Sequence, residues 1–185
     1  MGRAPRLQIA GGIYHVTTRG NRRQPIYDTE SDCAFFCQLL ASCVRRLTWR
    51  CHAFCLMPTH YHLLLETPEP NLSAGMQRLN GVYAKWFNET HGFEGHLFER
   101  RFRGIAVETE PHALELSRYI VLNPVRAGLC KHAADWRWSS YTAMTDAAPM
   151  PEFLTCQWLL AQFGPDLARA RDAYAAFVDG LPVAA

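Results

Sequence analysis

"FCLMPTHYHLLLETP", Phe54 to Pro68, decides how this chain is read. Thr59, His60, Tyr61 and His62 interrupt an otherwise apolar run. Proline cannot donate to a strand ladder, so Pro58 stops the strand that leads into it. A second strand begins at His60, and Met57-Pro58-Thr59 separates the two as an antiparallel hairpin. Residues two apart on a strand share a face, so His60 and His62 point one way and Tyr61 the other. Two adjacent imidazoles suit Mn²⁺, Zn²⁺, Fe²⁺ or a Mg²⁺ site completed by oxygen ligands. The pair alone is also compatible with a polar accent at a strand start.

Upstream, "GGIYHVTTRGNR" (residues 11–22) reads as a first strand that runs into a loop. "DTESDCAFFCQLLASCVRRL" carries Asp, Ser and Glu cap signals, then apolar residues at helical spacing through Leu47. "TWRCHAFCLMP" alternates and then turns continuously apolar. Downstream, "NLSAGMQRLNGVYAKWFNETHG" predicts a helix stopped by Gly92. "GHLFERRFRGIAVETEP" predicts a basic loop and an edge strand over 104–109. "EPHALELSRYIVLNPVRAG" predicts a helix with Pro111 near its first position, ending at or near Asn123, since Pro124 disfavours helical geometry in the residue before it. The order strand, helix, strand, strand, helix, strand, helix predicts an α+β fold. Its form is a ferredoxin-like antiparallel sheet with helices packed on one face. Residues 1–145 form this unit and 146–185 a C-terminal helical extension, in which "TCQWLLAQFG" and "DLARARDAYAAFVDGL" read as two helices. "WRWSSYTAM" ahead of them reads as a docking segment, with Trp136 and Trp138 as anchors or as platforms for base stacking.

Hydrophobic residues make up 49% of the 185 and charged residues 19%, which fits a globular chain with a real core. No apolar run approaches the roughly 20 residues that span a bilayer. The N-terminal segment lacks the apolar stretch of a secretory signal. The seven cysteines contain no Cys-x-x-Cys pair and are odd in number, which points to free thiols in a reducing cytoplasm. The net charge is only +2 but is unevenly placed. Through residue 50, Arg3, Arg6, Arg19, Arg22, Arg23, Arg45, Arg46 and Arg50 face only Asp28, Glu30 and Asp32. A second cluster is Arg100, Arg101 and Arg103. Guanidinium forks match phosphate oxygens, so local arginine-rich charge suits a nucleic-acid backbone.

Tyr119 and Asn123, four apart, share one helical face. With a metal at the histidines, a phenol and guanidinium groups make up what phosphodiester transesterification needs: a Lewis acid, a nucleophile and a grip on the strand. Tyr83 is a rival nucleophile on another helix, with core packing against Trp86 and Phe87 as its other reading. Arg19, Asn21, Arg22 and Arg23 after the first strand, and His96 before the second cluster, are candidate DNA contacts. His15 and His52 read as core or edge histidines.

"MPTHYHLLL" resembles the HUH motif (histidine, hydrophobic residue, histidine) of single-tyrosine transposases. "YHVTTRGN", "GHLFERRFRG", "YIVLNPVRAGL" and "DWRWSSY" are similar to one branch of them, the REP-associated tyrosine transposases, and the motifs stand in that family's order. The resemblance implies that the HUH strand is central in the sheet and that Tyr119 is the nucleophile. It implies that His60, His62 and Asn123 bind Mg²⁺ or Mn²⁺, and that Arg19, Asn21, Arg22, Arg23, His96, Arg100, Arg101 and Arg103 meet DNA. The implied substrate is single-stranded DNA with a REP- or BIME-like hairpin, cleaved to a 5′-phosphotyrosine and a free 3′-OH. It further implies a cytoplasmic, nucleoid-associated bacterial protein, monomeric or homodimeric. Two other classes compete: a transposase-derived protein that binds hairpin DNA or RNA without cutting it, and a structural zinc protein.

Overall fold

A computed structural model describes residues 8–180; Arg3, Arg6 and Leu181, the end of the last predicted helix, lie outside them. Four strands form one antiparallel sheet in the order β2-β3-β1-β4. They are β1 (Gly12–Arg19), β2 (Arg50–Met57), β3 (His60–Thr67) and β4 (Arg103–Val107). The predicted hairpin is present, with Pro58 and Thr59 as its two-residue turn. The histidine strand β3 is interior, between β2 and β1. The edge strand β4 ends at Val107, two residues short of the expected end. Thr109 instead caps the next helix, accepting a bond from His112 N at 3.4 Å.

Helix α1 (Glu30–Leu47) starts at a capping box: Thr29 accepts from Asp32 N, and the Asp32 carboxylate accepts from Thr29 N at 2.7 Å. Helix α2 (Leu72–His91) stops at Gly92, whose φ of 67° is the left-handed cap expected there. Both lie on the Tyr61 face of the sheet, joined through Phe35 on Trp86 at 4.0 Å and Phe36 on Tyr61 at 4.8 Å. Helix α3 (Glu110–Val121) lies on the opposite face, where Tyr119 meets His62. The helices therefore divide between the two faces and do not share one. Tyr61, Leu63 and Leu65 on one side of β3 are buried, and so are His62 and Leu64 on the other. A strand apolar on both faces needs cover on both.

The C-terminal part closes the free edge of β2. Trp136 Nε1 donates to Leu56 O at 2.9 Å, Leu56 N to Trp138 O at 2.8 Å and Ser140 N to Phe54 O at 2.9 Å. The docking segment is thus anchored by its tryptophans as one of its two readings had it. Further on, Thr155 N donates to Cys51 O at 2.7 Å, which continues the cover along the same edge. His52 is a satisfied core histidine, bonded to Thr155 O at 2.8 Å and Glu66 Oε2 at 3.0 Å. Three short helices follow from the docking segment onward: α5 (Tyr141–Met144), α6 (Gln157–Ala161) and α7 (Leu167–Asp179), numbered after α4 (Asn123–Arg126). Helix α7 rests on α3, with Arg118 Nε donating to Val178 O at 3.2 Å and its guanidinium over the Phe177 ring. All seven cysteines are free thiols. No described helix is long and apolar enough to cross a membrane.

A closed loop of hydrogen bonds pins the central strands. Thr18 Oγ1 donates to Tyr61 Oη at 2.8 Å, Tyr61 Oη to Asn80 Oδ1 at 2.5 Å, and Asn80 Nδ2 back to Thr18 Oγ1 at 3.2 Å. It ties β1, β3 and α2 together directly beneath the histidine pair. Tyr61→Phe leaves Thr18 and Asn80 each short of a partner in a buried place. The expected cost is about 1–3 kcal/mol, read as a lower urea midpoint at unchanged slope; an unshifted midpoint would contradict this role.

Candidate active site

The site is built on the sheet face opposite that loop. His60 pairs with Arg19 across β1, and His62 with Thr17, so these four side chains share the face. His62 is only 6% exposed. Its ring lies 5.0 Å from that of His60 and 5.7 Å from that of Tyr119. Tyr119 itself is 36% exposed, on α3. Tyr83, the rival, is fully buried and donates its hydroxyl to Ile26 O at 2.5 Å. Burial also pushes its phenol far up, away from the phenolate form. Tyr119 is thus the tyrosine that combines access with proximity to the histidines.

Asn123 is placed by the proline that follows it. Pro124 has no N–H for the Ile120 carbonyl one turn back. The Asn123 side chain substitutes: Nδ2 donates to Tyr119 O at 2.8 Å and to Ile120 O at 3.3 Å. The helix ends at Val121, close to the predicted boundary, and resumes as α4 after a one-residue break. With Nδ2 spent on the helix end, Oδ1 is the atom left for a ligand.

Three imidazoles cluster on this face, since His15 Nε2 lies 2.9 Å from His62 Nδ1. Burial, with the charge of Arg19 nearby, lowers His60 to about 4. Burial, then His15, His60 and Arg19, lower His62 to about 3. Burial, then Arg103 and His112, lower His15 to about 4. All are neutral at pH 7, the form that ligates a metal. Nε2 of His62 is buried and has no hydrogen-bond partner among the described residues. Among the described residues no three His, Cys, Asp or Glu side chains are set to hold an ion together. His15 is turned to His62, so a third ligand beside His60 and His62 must be of another kind, and the Asn123 amide oxygen is of that kind. An orphaned buried nitrogen, a second imidazole and an amide oxygen are donors that a divalent cation takes, the imidazoles suiting Zn²⁺ or Fe²⁺ and the amide oxygen Mn²⁺ or Mg²⁺.

The model of the family described as "Transposase IS200 like" matches residues 9–123, more than half of the chain. The chain belongs to this family of transposases. It is 26% identical over 153 residues to a candidate REP-associated tyrosine transposase of Haemophilus influenzae, covering 77% of this chain and 86% of that one. Among solved structures, a REP-associated tyrosine transposase bound to a REP hairpin superposes with a TM-score of 0.67. The identity is 22%, over 84% of this chain and 92% of that one, so the shared feature is the fold. The structure of a candidate transposase from Deinococcus radiodurans is more distant, with a TM-score of 0.44, 18% identity and cover of 65% and 94%.

The arginines of this transposase fall into distinct places. Arg19 and Arg103 stand on the histidine face, opposite His60 and Thr17 respectively. Arg22 and Arg23 are exposed on a tight turn with φ of 54° and 60°. That turn is held against the second basic loop: Asn21 N donates to Leu97 O at 2.8 Å and Glu99 N to Arg19 O at 3.0 Å. Two segments about eighty residues apart in sequence thereby meet beside His60. Gly20 allows the turn itself to close tightly, since a Cβ there would lie 2.3 Å from Gln24 O. His96, Arg100 and Arg101 instead line a groove of about 680 Å³ against α2, with Asn80, Gly81 and Ala84.

Two residues near Tyr119 escaped the sequence reading. Arg126 on α4 holds its guanidinium 4.9 Å from the centre of the Tyr119 ring. His15 lies 6.1 Å from the same ring. For His15 the signal was present: His15, Thr17 and Arg19 alternate on β1 as His60 and His62 do on β3.

The depressed imidazoles make acid stability a test. Their folded values lie below the usual 6.5, so below that pH the unfolded chain binds more protons than the folded one. Folding stability of metal-free protein should therefore be fully present above about 6.5 and fall as pH drops toward 4. Urea unfolding at pH 7 and pH 4.5 measures it, and a His15→Gln, His60→Gln double variant should lose less across that window. Equal losses would contradict the burial account.

Proposed function

We propose that this transposase cleaves and rejoins single-stranded DNA at REP-type hairpins through a covalent bond to Tyr119. The observation that carries the reading is the accessible Tyr119 ring 5.7 Å from buried His62, on the sheet face that also bears His60 and Arg19. His60, His62 and Asn123 would hold Mg²⁺ or Mn²⁺, which supplies Lewis-acid polarisation of the scissile phosphate. The remaining work falls to the chain itself. Tyr119 Oη attacks phosphorus, an O–P bond forms to the tyrosine, and the P–O3′ bond breaks. The phenol gives up a proton and the departing 3′ oxygen gains one, so charge and protons balance. The new phosphodiester keeps the bond energy, and the reverse attack by a 3′-OH rejoins a strand without a nucleotide cofactor. Arg126 holds the Tyr119 ring in place. Arg19 and Arg103 meet phosphates next to the reacting group, while Asn21, Arg22, Arg23, His96, Arg100 and Arg101 grip the DNA further out. A hairpin partner is supported by the fold shared with a protein whose structure holds a REP hairpin and by likeness to a candidate REP-associated transposase.

The test uses labelled hairpin single-stranded DNA, Mn²⁺ and denaturing gels. Wild type should give a covalent adduct and a free 3′-OH fragment, Tyr119→Phe none, and His60→Ala at least a hundredfold less. An adduct that survives Tyr119→Phe would remove Tyr119 from its role. Tight hairpin binding by wild type with no adduct under any metal would favour the non-cutting binder.

A further inference from the structure

His15 reads from the sequence as a core or edge histidine, and it makes the closest polar contact to the histidine pair. Its Nε2 lies 2.9 Å from His62 Nδ1, and the two rings are stacked 5.2 Å apart at 16°. Two ring nitrogens at that distance share one proton between them: one donates and the other accepts. Two arrangements are possible. In one, His62 Nδ1–H donates to His15, and His62 Nε2 carries a lone pair. In the other, His15 Nε2–H donates, and the single proton of neutral His62 sits on Nε2. That Nε2 is buried with no partner among the described residues. A buried N–H without an acceptor is among the rarest and costliest of polar groups. The first arrangement avoids it and leaves on Nε2 the lone pair that a metal requires.

His60 follows the same pattern by other means. Its Nδ1 lies 3.1 Å from Thr59 Oγ1, a hydroxyl that can accept, and none of its hydrogen bonds to described residues uses Nε2. Both histidines of the motif are therefore held through Nδ1, one by its sequence neighbour and the other from a different strand. The β1–β3 register sets the second contact: Thr17 faces His62, and His15 is the next residue along on the same face.

We propose that His15 is a positioning residue for the metal site: its Nε2 accepts the Nδ1 proton of His62 and holds that ring in the tautomer whose Nε2 faces the ion. This rests on His62 being a ligand, as argued above, and adds a residue from β1 that touches neither metal nor DNA. His15 is not itself a ligand, because the nitrogen nearest the pair is occupied by His62.

Long-range ¹H–¹⁵N correlation on metal-free, ¹⁵N-labelled protein at pH 7.5 reads the His62 tautomer directly. The expected pattern is a protonated Nδ1 and an unprotonated Nε2. Mn²⁺ titration followed by electron paramagnetic resonance then compares wild type, His15→Phe and His15→Gln, with thermal unfolding as a check on the fold. His15→Phe should bind Mn²⁺ about 10- to 100-fold more weakly. His15→Gln, which restores an acceptor near the same position, should recover most of the affinity. A His62 proton on Nε2, or unchanged Mn²⁺ affinity in His15→Phe, would overturn the role of His15. Wild type that binds no Mn²⁺ at all would overturn the metal reading beneath it. Should His15→Phe fail to fold, the wild-type tautomer and the His15→Gln titration still decide.

Discussion

The structure depends on one constraint: β3 is buried on both faces and must keep its register. Slipping by one residue would turn Tyr61 into the histidine face and His60 and His62 into the packed layer of α1 and α2. The loop of Thr18, Tyr61 and Asn80 opposes that slip, because it closes only when Tyr61 points toward α2. On the other face, the contact between His15 and His62 closes only in the same register. A polar network below the strand and another above it thus specify one alignment, and the site inherits its geometry from that alignment.

The proposed site would combine side chains that the chain supplies from distant places. β3 brings the two imidazoles, α3 the tyrosine, and the broken end of that helix the amide. Pro124 links the last two: by denying Ile120 O its usual donor four residues on, it recruits the Asn123 side chain to the helix end and leaves only its oxygen for other work. Burial then keeps the imidazoles neutral, which is what a ligand set for a divalent cation requires. The same burial favours Tyr119 over Tyr83, since a phenol enclosed in the core and bonded to a carbonyl can reach no phosphate.

Much of this was legible in the sequence wherever local periodicity determines the outcome. The alternation at His60 and His62, Gly92 as a helix stop and Pro58 as a turn all depend on near neighbours and are found where expected, while Tyr119 and Asn123 stand on either side of a one-residue helix break. What was not legible depends on which distant surfaces meet. The apolar residues of β3 occupy both of its faces, so its pattern could not say that α3 would cover the histidine side while α1 and α2 cover the other. The two arginine clusters could not be assigned to surfaces, because charge has no direction in a sequence. Backbone pairing of Asn21 with Leu97 and of Glu99 with Arg19 sorts them instead, sending Arg100 and Arg101 to the α2 groove. His15 was passed over because a lone histidine on a strand has no partner until the register is known. The cover on the β2 edge, from residues 136–140 and then Thr155, needs the sheet order before it can be seen.

The account stands or falls on whether the histidine pair, the amide and the tyrosine surround one ion. The most direct measurement is an anomalous difference map from crystals of the full chain soaked with Mn²⁺. One peak bonded to His62 Nε2, His60 and Asn123 Oδ1, next to the Tyr119 hydroxyl, is the predicted result. A peak elsewhere, or none at saturating Mn²⁺, would contradict it.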